Sequence, residues 1–208
     1  MEHKVIVVGI GAGSPDYILP IASRSIAQAK VLVGSQRALN AFAPSHIKTK
    51  VIDKDIKGVL TFISESLAVS DVVVMVSGDP GFYSLLTALK TNFAQGQMTV
   101  IPGISSMQLA FARISEVWQD AVLISMHGRQ ASDEDLQYKP RKKLGILTDY
   151  EHNPSHIAQV LIKHGWPLDV QVWLGEALSY ENEHNKKLTL GETVHIPGFT
   201  HCVMVVIA

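Results

Sequence analysis

The sequence almost lacks cysteine, the residue that builds disulfide frameworks and thiolate zinc clusters. Cys202 is the one cysteine among 208 residues, so no internal disulfide can form. Its place in the apolar run 202–207 predicts a buried strand residue, because free cysteine behaves as a small hydrophobic side chain. No stretch approaches the roughly 18 to 20 apolar residues that span a bilayer. The first residues lead into a strand pattern rather than a signal peptide, which predicts a cytoplasmic protein.

The sequence also has no large excess of charge of either sign. Lysine and arginine number 18 against 19 aspartate and glutamate, so the net charge is −1. Such a balance gives no general field for nucleic acid, and an anionic ligand must be bound by a local cluster. The hydrophobic content of 47% is enough for packed cores, and the length fits one large domain or two small ones.

The strongest structural signal lies around residue 78. Val72–Val76 is apolar and mostly β-branched, and S-G-D-P-G follows at 77–81, which predicts a buried parallel strand and a tight loop. Apolar residues at 82, 85, 86, 89 and 93 predict a helix directly after it. In an open α/β sheet, ligands bind beyond the carboxyl ends of the strands. Asp79 would lie there as a ligand contact, or would only cap the helix.

The rest of the chain predicts two domains. Up to residue 115, strands at 5–8, 31–33, 49–52 and 97–101 alternate with helices at 19–29, 35–42, 56–67 and 107–114. This alternation predicts a doubly wound parallel sheet. From 116 to 208, strands are predicted at 121–124, 144–147, 170–174, 187–190 and 202–207, with a helix after Asn153-Pro154. Their shorter connections favour a mixed sheet.

Two common ligand sites are not supported by the spacing. Residues 9–13 read G-x-G-x-G, and Ser14 stands where a dinucleotide loop has its third glycine. The next strand ends without the carboxylate that would bind a ribose. His152 and His156 are four residues apart but lack the glutamate of H-E-x-x-H, so we predict no metal site.

Residues 103–107 read G-I-S-S-M, which differs at one position from the G-x-S-x-G pattern of a nucleophile elbow. A serine hydrolase with Ser105 as nucleophile is therefore an alternative, although Met107 replaces the glycine that permits the sharp turn. Ser105 and Ser106 otherwise cap the following helix, or present hydroxyl and N–H groups to a ligand.

Two basic stretches follow in the second half. Residues 139–143, K-P-R-K-K, are typical of a solvated loop. His127-Gly128-Arg129 directly follows a predicted strand, and the Arg129 guanidinium has the geometry to bind a carboxylate at two points.

These motifs together resemble the tetrapyrrole methylase family of S-adenosylmethionine-dependent methyltransferases. The resemblance runs from near residue 5 to the end of the chain. It rests on V-G-I-G-A-G-S-P-D-Y at 8–17, G-D-P-G-F-Y-S at 78–84, I-P-G-I-S-S at 101–106, W-Q-D-A at 118–121 and S-M-H-G-R at 125–129. The last two narrow it to the cobalamin branch of the family. Ala12 departs from the proline that the family commonly has in its first loop.

The resemblance implies two α/β domains of the class III methyltransferase type, with the active site in the cleft between them. It implies S-adenosylmethionine as the cofactor. The implied cofactor contacts are Ile10, Gly78, Asp79, Phe82, Ser105, Ser106, Leu147, Thr148, Gly175 and His201 in the Thr200-His201 turn. The implied substrate contacts are Gly11, Ser14, His127 and Arg129. No catalytic acid or base is implied, because the methyl group arrives already activated.

The implied activity is methylation at C5 of a corrinoid precursor, cobalt-precorrin-7 or precorrin-6B, in cobalamin biosynthesis. Relatives suggest a homodimer, with neither nucleic acid nor membrane as a partner. Some relatives are fused to a second methylase that also decarboxylates, so we expect one methyl transfer here and a separate C15-methylating decarboxylase as a partner. A non-catalytic tetrapyrrole-binding protein is the other alternative.

Overall fold

The structure is a computed structural model that describes residues 3–199 and 201–208. The chain divides into two compact units, the first ending at Ser105 and the second beginning at Ser106. The boundary expected after residue 115 differs from this division by one helix, Ser106–Arg113. That helix packs in the second unit, because an added Cβ on Gly145 would lie 2.5 Å from Met107 Sδ and 3.1 Å from the Phe111 ring.

The N-terminal unit alternates strands and helices as its hydrophobic pattern predicts. Its elements are β1 (Val5–Gly9), α1 (Pro20–Ala27), β2 (Val31–Gly34), α2 (Gln36–Phe42), β3 (Lys48–Val51), α3 (Ile56–Ser66), β4 (Val72–Val76), α4 (Leu86–Asn92) and β5 (Met98–Ile101). The strands form a parallel sheet in the order β3-β2-β4-β1-β5. The predicted parallel α/β architecture is confirmed.

Helices cover both faces of this sheet, which is why its central strands are apolar throughout. Val5 and Val7 pack towards α3 and α4, where Ile63 and Leu89 are fully buried. Val8 points to the opposite face and packs with α1 and α2. All five residues of β4 are buried, so this strand lies at the centre of the unit.

Helix α4 begins later than its pattern predicts. The prediction placed its start at Phe82, whereas the helix begins at Leu86. Tyr83 lies between them in the left-handed region at φ +49°, which an α-helix cannot contain. The Ser84 hydroxyl donates to the Pro80 carbonyl, which holds these residues in a turn.

The C-terminal unit has the predicted mixed sheet. Its elements are α5 (Ser106–Arg113), β6 (Ala121–Ser125), α6 (Asp133–Leu136), β7 (Lys143–Leu147), α7 (Pro154–Lys163), β8 (Gln171–Glu176), β9 (His184–Thr189), α8 (Leu190–Thr193) and β10 (Cys202–Ile207). The strand order is β6-β7-β10-β8-β9, with β6 and β7 parallel and the other pairs antiparallel. The sequence did not predict α6 and α8, because a helix of four residues is too short to show a hydrophobic period.

One face of the C-terminal sheet packs on α7, where Ile157 and Leu161 are fully buried. Asn153 caps α7 by accepting from His156 N, and Pro154 occupies its first turn, as the sequence predicts. Over residues 3–199 and 201–208, no helix has the length and apolar character to cross a bilayer.

We predict that Gly145→Ala lowers the free energy of unfolding by about 1–3 kcal/mol, because the new methyl group overpacks the contact with α5. Its Cβ would lie 2.5 Å from Met107 Sδ and 2.8 Å from Leu123 Cδ2. Urea unfolding of the purified variants measures this. Gly96→Ala is the control, because a Cβ there meets nothing within 4 Å. Equal midpoints for the two variants would contradict the packing argument.

Candidate functional site

The first group of predicted residues lies at the carboxyl ends of β4 and β1, which are neighbours in the parallel sheet. Ile10 N donates to Val76 O at 3.0 Å, and Gly78 N donates to Gly11 O at 2.8 Å. These bonds continue the pairing of the two strands into their loops. The fold thereby brings Ile10, Gly11, Gly78 and Asp79 together from two distant stretches of chain.

Three glycines allow the loops after β1, β4 and β5 to touch through their backbones. A Cβ on Gly9 would lie 2.6 Å from both Gly103 N and Gly78 O. A Cβ on Gly103 would collide with Gly78 O. At this edge of the sheet, backbone therefore packs directly against backbone. Gly9 and Gly103 were not predicted as site residues, although a glycine close to the end of each of three strands was visible in the sequence.

The Asp79 carboxylate ties the β4 loop to the β5 loop. Its Oδ1 accepts from Gly81 N at 2.7 Å, and its Oδ2 accepts from Gly103 N at 3.0 Å. The helix-capping interpretation of Asp79 is wrong, because α4 begins seven residues later at Leu86. The carboxylate instead holds the geometry of the glycine contact.

The other predicted residues of the N-terminal unit lie in or beside the same loops. Ser14 Oγ accepts from Asp16 N at 3.2 Å and caps a short 3-10 turn. The Phe82 ring packs edge-on against the Tyr83 ring, with centroids 4.8 Å apart. Ser105 is buried, and an added Cβ on Gly78 would be 3.4 Å from its Cα. Ser106 is the first residue of α5, in the C-terminal unit.

A second group of predicted residues lies at one end of the C-terminal sheet. Val203 of β10 pairs with Leu147 of β7 on one side and with Gly175 of β8 on the other. Leu147 and Gly175 are therefore in one row across three strands. His201 directly precedes β10, while Thr200, the other half of the predicted turn, is outside the described residues.

Thr148 is tied to β10 by its side chain. Its hydroxyl donates to Cys202 O at 3.0 Å and accepts from Cys202 N at 2.8 Å. Burial raises the pKa of the Cys202 thiol to about 12, so this cysteine is an inert core residue, as predicted. The Thr148 hydroxyl therefore has a structural role in addition to the cofactor contact that was predicted for the residue.

The turn after β6 presents the predicted substrate residues. His127 and Arg129 are both exposed in this turn. The His127 ring lies 5.5 Å from the His201 ring between centroids, and His127 Nδ1 is 3.4 Å from Thr148 O. The fold thus brings together histidines that are far apart in the chain.

Asp149, which was not predicted as a site residue, holds this turn in place. Its Oδ2 accepts from Gly128 N at 2.6 Å, and its Oδ1 accepts from His152 N at 2.6 Å. The bond from the His152 backbone, with that from Gly128, lowers the pKa of Asp149 to about 2, because both favour the charged form. The sequence signal was an aspartate within three residues of the end of a predicted strand, as at Asp79.

The basic run at 139–143 is only partly a solvated loop. Lys142 Nζ donates to the carbonyl oxygens of Asp135 at 2.5 Å and Gln137 at 2.9 Å, and thereby caps α6. Its burial lowers the pKa of the Lys142 ammonium. Lys143 pairs with Glu116 at 3.0 Å. The prediction of a solvated loop is wrong for these two lysines.

The rings of His152 and His156 are 5.7 Å apart between centroids. Within the part of the chain that the structure describes, no group of three or more histidine, cysteine, aspartate or glutamate side chains is arranged to hold a metal ion.

Comparison with known proteins gives consistent matches. The sequence profile of the Tetrapyrrole (Corrin/Porphyrin) Methylases matches residues 4–194. The probable cobalt-precorrin-7 C(5)-methyltransferase of Methanocaldococcus jannaschii is 31% identical over 188 residues, which cover 86% of each chain. The cobalt-precorrin-7 C(5)-methyltransferase of Salmonella typhimurium is 34% identical over 177 residues, covering 85% of this chain and 86% of that protein.

A solved structure shows the same fold. Uroporphyrin-III C-methyl transferase from Thermus thermophilus, complexed with S-adenyl homocysteine, matches 98% of this chain and 91% of its own with a TM-score of 0.79. The two sequences are 19% identical. At that identity the likeness establishes the architecture, two α/β units with one parallel and one mixed sheet.

We predict that Asp149→Asn lowers the free energy of unfolding at pH 7 by about 1.5–3 kcal/mol, the range for hydrogen bonds to a charged group. The folded pKa of Asp149, about 2, is below the usual 3.8. Its contribution is therefore complete above about pH 4 and is lost as the pH falls through 2. Urea unfolding of both proteins from pH 7 to pH 2 should show the difference shrinking in acid. A difference that stays constant would contradict the prediction.

Proposed function

As the chain belongs to the tetrapyrrole (corrin/porphyrin) methylase family, we propose that it methylates C5 of cobalt-precorrin-7 in cobalamin biosynthesis, with S-adenosylmethionine as methyl donor. The observation that carries this proposal is that two relatives named for the activity match about 85% of the chain at 31% and 34% identity. The family as a whole uses S-adenosylmethionine. The serine hydrolase alternative is not retained.

The N-terminal loops fit a cofactor that must approach the backbone closely. A Cβ is excluded at Gly9 and at Gly103, where their backbones meet the Gly78 carbonyl, and the loops lie at the carboxyl edge of a parallel sheet. We propose that the cofactor contacts here are Ile10, Gly78, Asp79, Phe82 and Ser105. For Ser106, Leu147, Thr148, Gly175 and His201, contact with the cofactor stays a prediction from the family resemblance.

The chemistry asks little of the side chains. When bound, S-adenosylmethionine supplies a methyl group that its sulfonium already activates towards a nucleophilic carbon of the macrocycle. The protein contributes alignment and exclusion of water, and well-oriented reactants can save roughly 7–11 kcal/mol of the barrier. Asp79 contributes by fixing the loops, since both its oxygens accept backbone N–H groups. We propose no residue as a general base.

The substrate is an anion with several carboxylates, and the net charge of −1 provides no general attraction for it. We propose that His127 and Arg129 bind its carboxylates, because both are exposed in the turn after β6. Gly11 and Ser14 stay predicted substrate contacts in the first loop. A homodimer, a separate C15-methylating decarboxylase partner and a cytoplasmic location also stay predictions.

The activity is tested by anaerobic incubation with cobalt-precorrin-7 and S-adenosylmethionine labelled in its methyl group. We expect one labelled methyl group in the macrocycle and an equal amount of S-adenosylhomocysteine. A non-catalytic tetrapyrrole carrier would bind the macrocycle without releasing S-adenosylhomocysteine, and that result would refute the proposal.

For the cofactor site, we predict that Asp79→Ala raises the dissociation constant of S-adenosylhomocysteine at least about tenfold, equivalent to about 1.4 kcal/mol. The reason is that the loops of β4 and β5 lose their common acceptor. Isothermal titration calorimetry measures the change. Asp71→Ala is the matched control. Asp71 also accepts from a backbone N–H, that of Lys4 at 2.8 Å, but it lies at the amino end of β4, opposite the candidate site. An unchanged dissociation constant in Asp79→Ala would refute the role of Asp79.

A further inference from the structure

We propose that Asp149 is a positioning residue for the substrate, which fixes the turn that carries His127 and Arg129 in the geometry that binds the macrocycle's carboxylates. Asp149 would act through the turn and not by touching substrate. The inference deepens the proposed function and rests on it.

Asp149 is placed to join two segments of the C-terminal unit. It lies two residues after β7, beside the end of β6, because these strands are parallel neighbours. One oxygen accepts from Gly128 N, in the turn after β6, and the other accepts from His152 N, just before α7. A single carboxylate therefore connects the turn to the start of a packed helix.

The turn needs such an anchor because of its own conformation. Gly128 has φ +65°, and a Cβ there would meet nothing within 4 Å, so backbone geometry rather than lack of space requires the glycine. Two other bonds of the turn are longer, 3.3 Å from His127 N to Ser125 Oγ and 3.4 Å from His127 Nδ1 to Thr148 O. The bond from Gly128 N to the charged Asp149 oxygen, at 2.6 Å, is the shortest of the three. A hydrogen bond to a charged acceptor is also stronger than one between neutral groups.

The negative charge of Asp149 is compatible with an anionic ligand nearby. Its side chain is only 13% exposed, and each oxygen accepts a backbone N–H. With a pKa of about 2, lowered by the two backbone N–H groups, Asp149 stays charged well into acid, so the anchor holds throughout the neutral range. The exposed groups of the turn are instead His127 and Arg129.

Fixing the turn in advance should act on substrate affinity. If the turn is binding-competent for only a fraction of the time, the apparent dissociation constant rises by the inverse of that fraction. Loss of Asp149 should therefore raise the KM for the macrocycle, leave kcat nearly unchanged and leave the affinity for S-adenosylhomocysteine unchanged.

The test is steady-state kinetics of Asp149→Asn with cobalt-precorrin-7 under anaerobic conditions, together with titration of S-adenosylhomocysteine. The amide keeps one acceptor oxygen, so at least one of the two anchoring bonds is lost. We expect KM for the macrocycle to rise about tenfold or more, with kcat and the S-adenosylhomocysteine dissociation constant within about twofold of wild type.

Changes at Gly128 test the same turn from its other side. Gly128→Ala strains the left-handed residue and should also raise KM, whereas Gly128→Asn should largely retain wild-type KM, because asparagine tolerates that conformation. Glu192→Gln is the structural control, since Glu192 accepts from Thr189 N at 2.7 Å in the capping box of α8. It should lower stability without changing KM.

An unchanged KM in Asp149→Asn, or an equal rise in Glu192→Gln, would overturn the positioning role while leaving the methyltransferase proposal intact. A parallel loss of S-adenosylhomocysteine binding would also overturn it, because the role is specific to substrate. Wild-type protein that transfers no methyl group would overturn the proposed function, and this inference with it.

Discussion

The close approach of three backbones at the carboxyl edge of the N-terminal sheet is the constraint on which the rest of that unit depends. Gly9 and Gly103 leave no room for a Cβ beside the Gly78 carbonyl, and the Asp79 carboxylate accepts hydrogen bonds from loops that follow different strands. A parallel sheet makes this possible, because its strands end at one edge. The parallel pairing of β1 with β4 and with β5 fixes the register of these strands, and that register sets the positions of the loops that follow them.

In the C-terminal unit, too, an aspartate after a strand accepts hydrogen bonds from two backbone N–H groups. Asp149 follows a strand, and its two oxygens accept N–H groups from separate segments, as those of Asp79 do. In each unit a charged acceptor supplies hydrogen bonds that an irregular loop does not provide for itself. Loops of this kind can be irregular enough to surround a ligand and still occupy one conformation, which is what a methyl transfer governed by alignment requires.

Hydrophobic pattern was sufficient for the architecture. The strand and helix periods predicted the parallel first sheet and the mixed second one, because the spacing of apolar residues can be read within each segment of the sequence. The pattern was insufficient where backbone conformation departs from it. Phe82, Leu85 and Leu86 have helical spacing, yet α4 begins only at Leu86, because Tyr83 has φ +49°. The spacing of apolar residues does not predict such a dihedral angle.

The sequence by itself determined the fold class, the family resemblance and the loops that carry the candidate site. Only the tertiary structure decided which residues meet. Leu147 and Gly175 share a row because β10 pairs with both of their strands, and Gly128 reaches Asp149 because β6 lies beside β7. Those contacts depend on strand order and register, which arise when distant segments pack together, so the role of Asp149 could not be read from its neighbours in the chain.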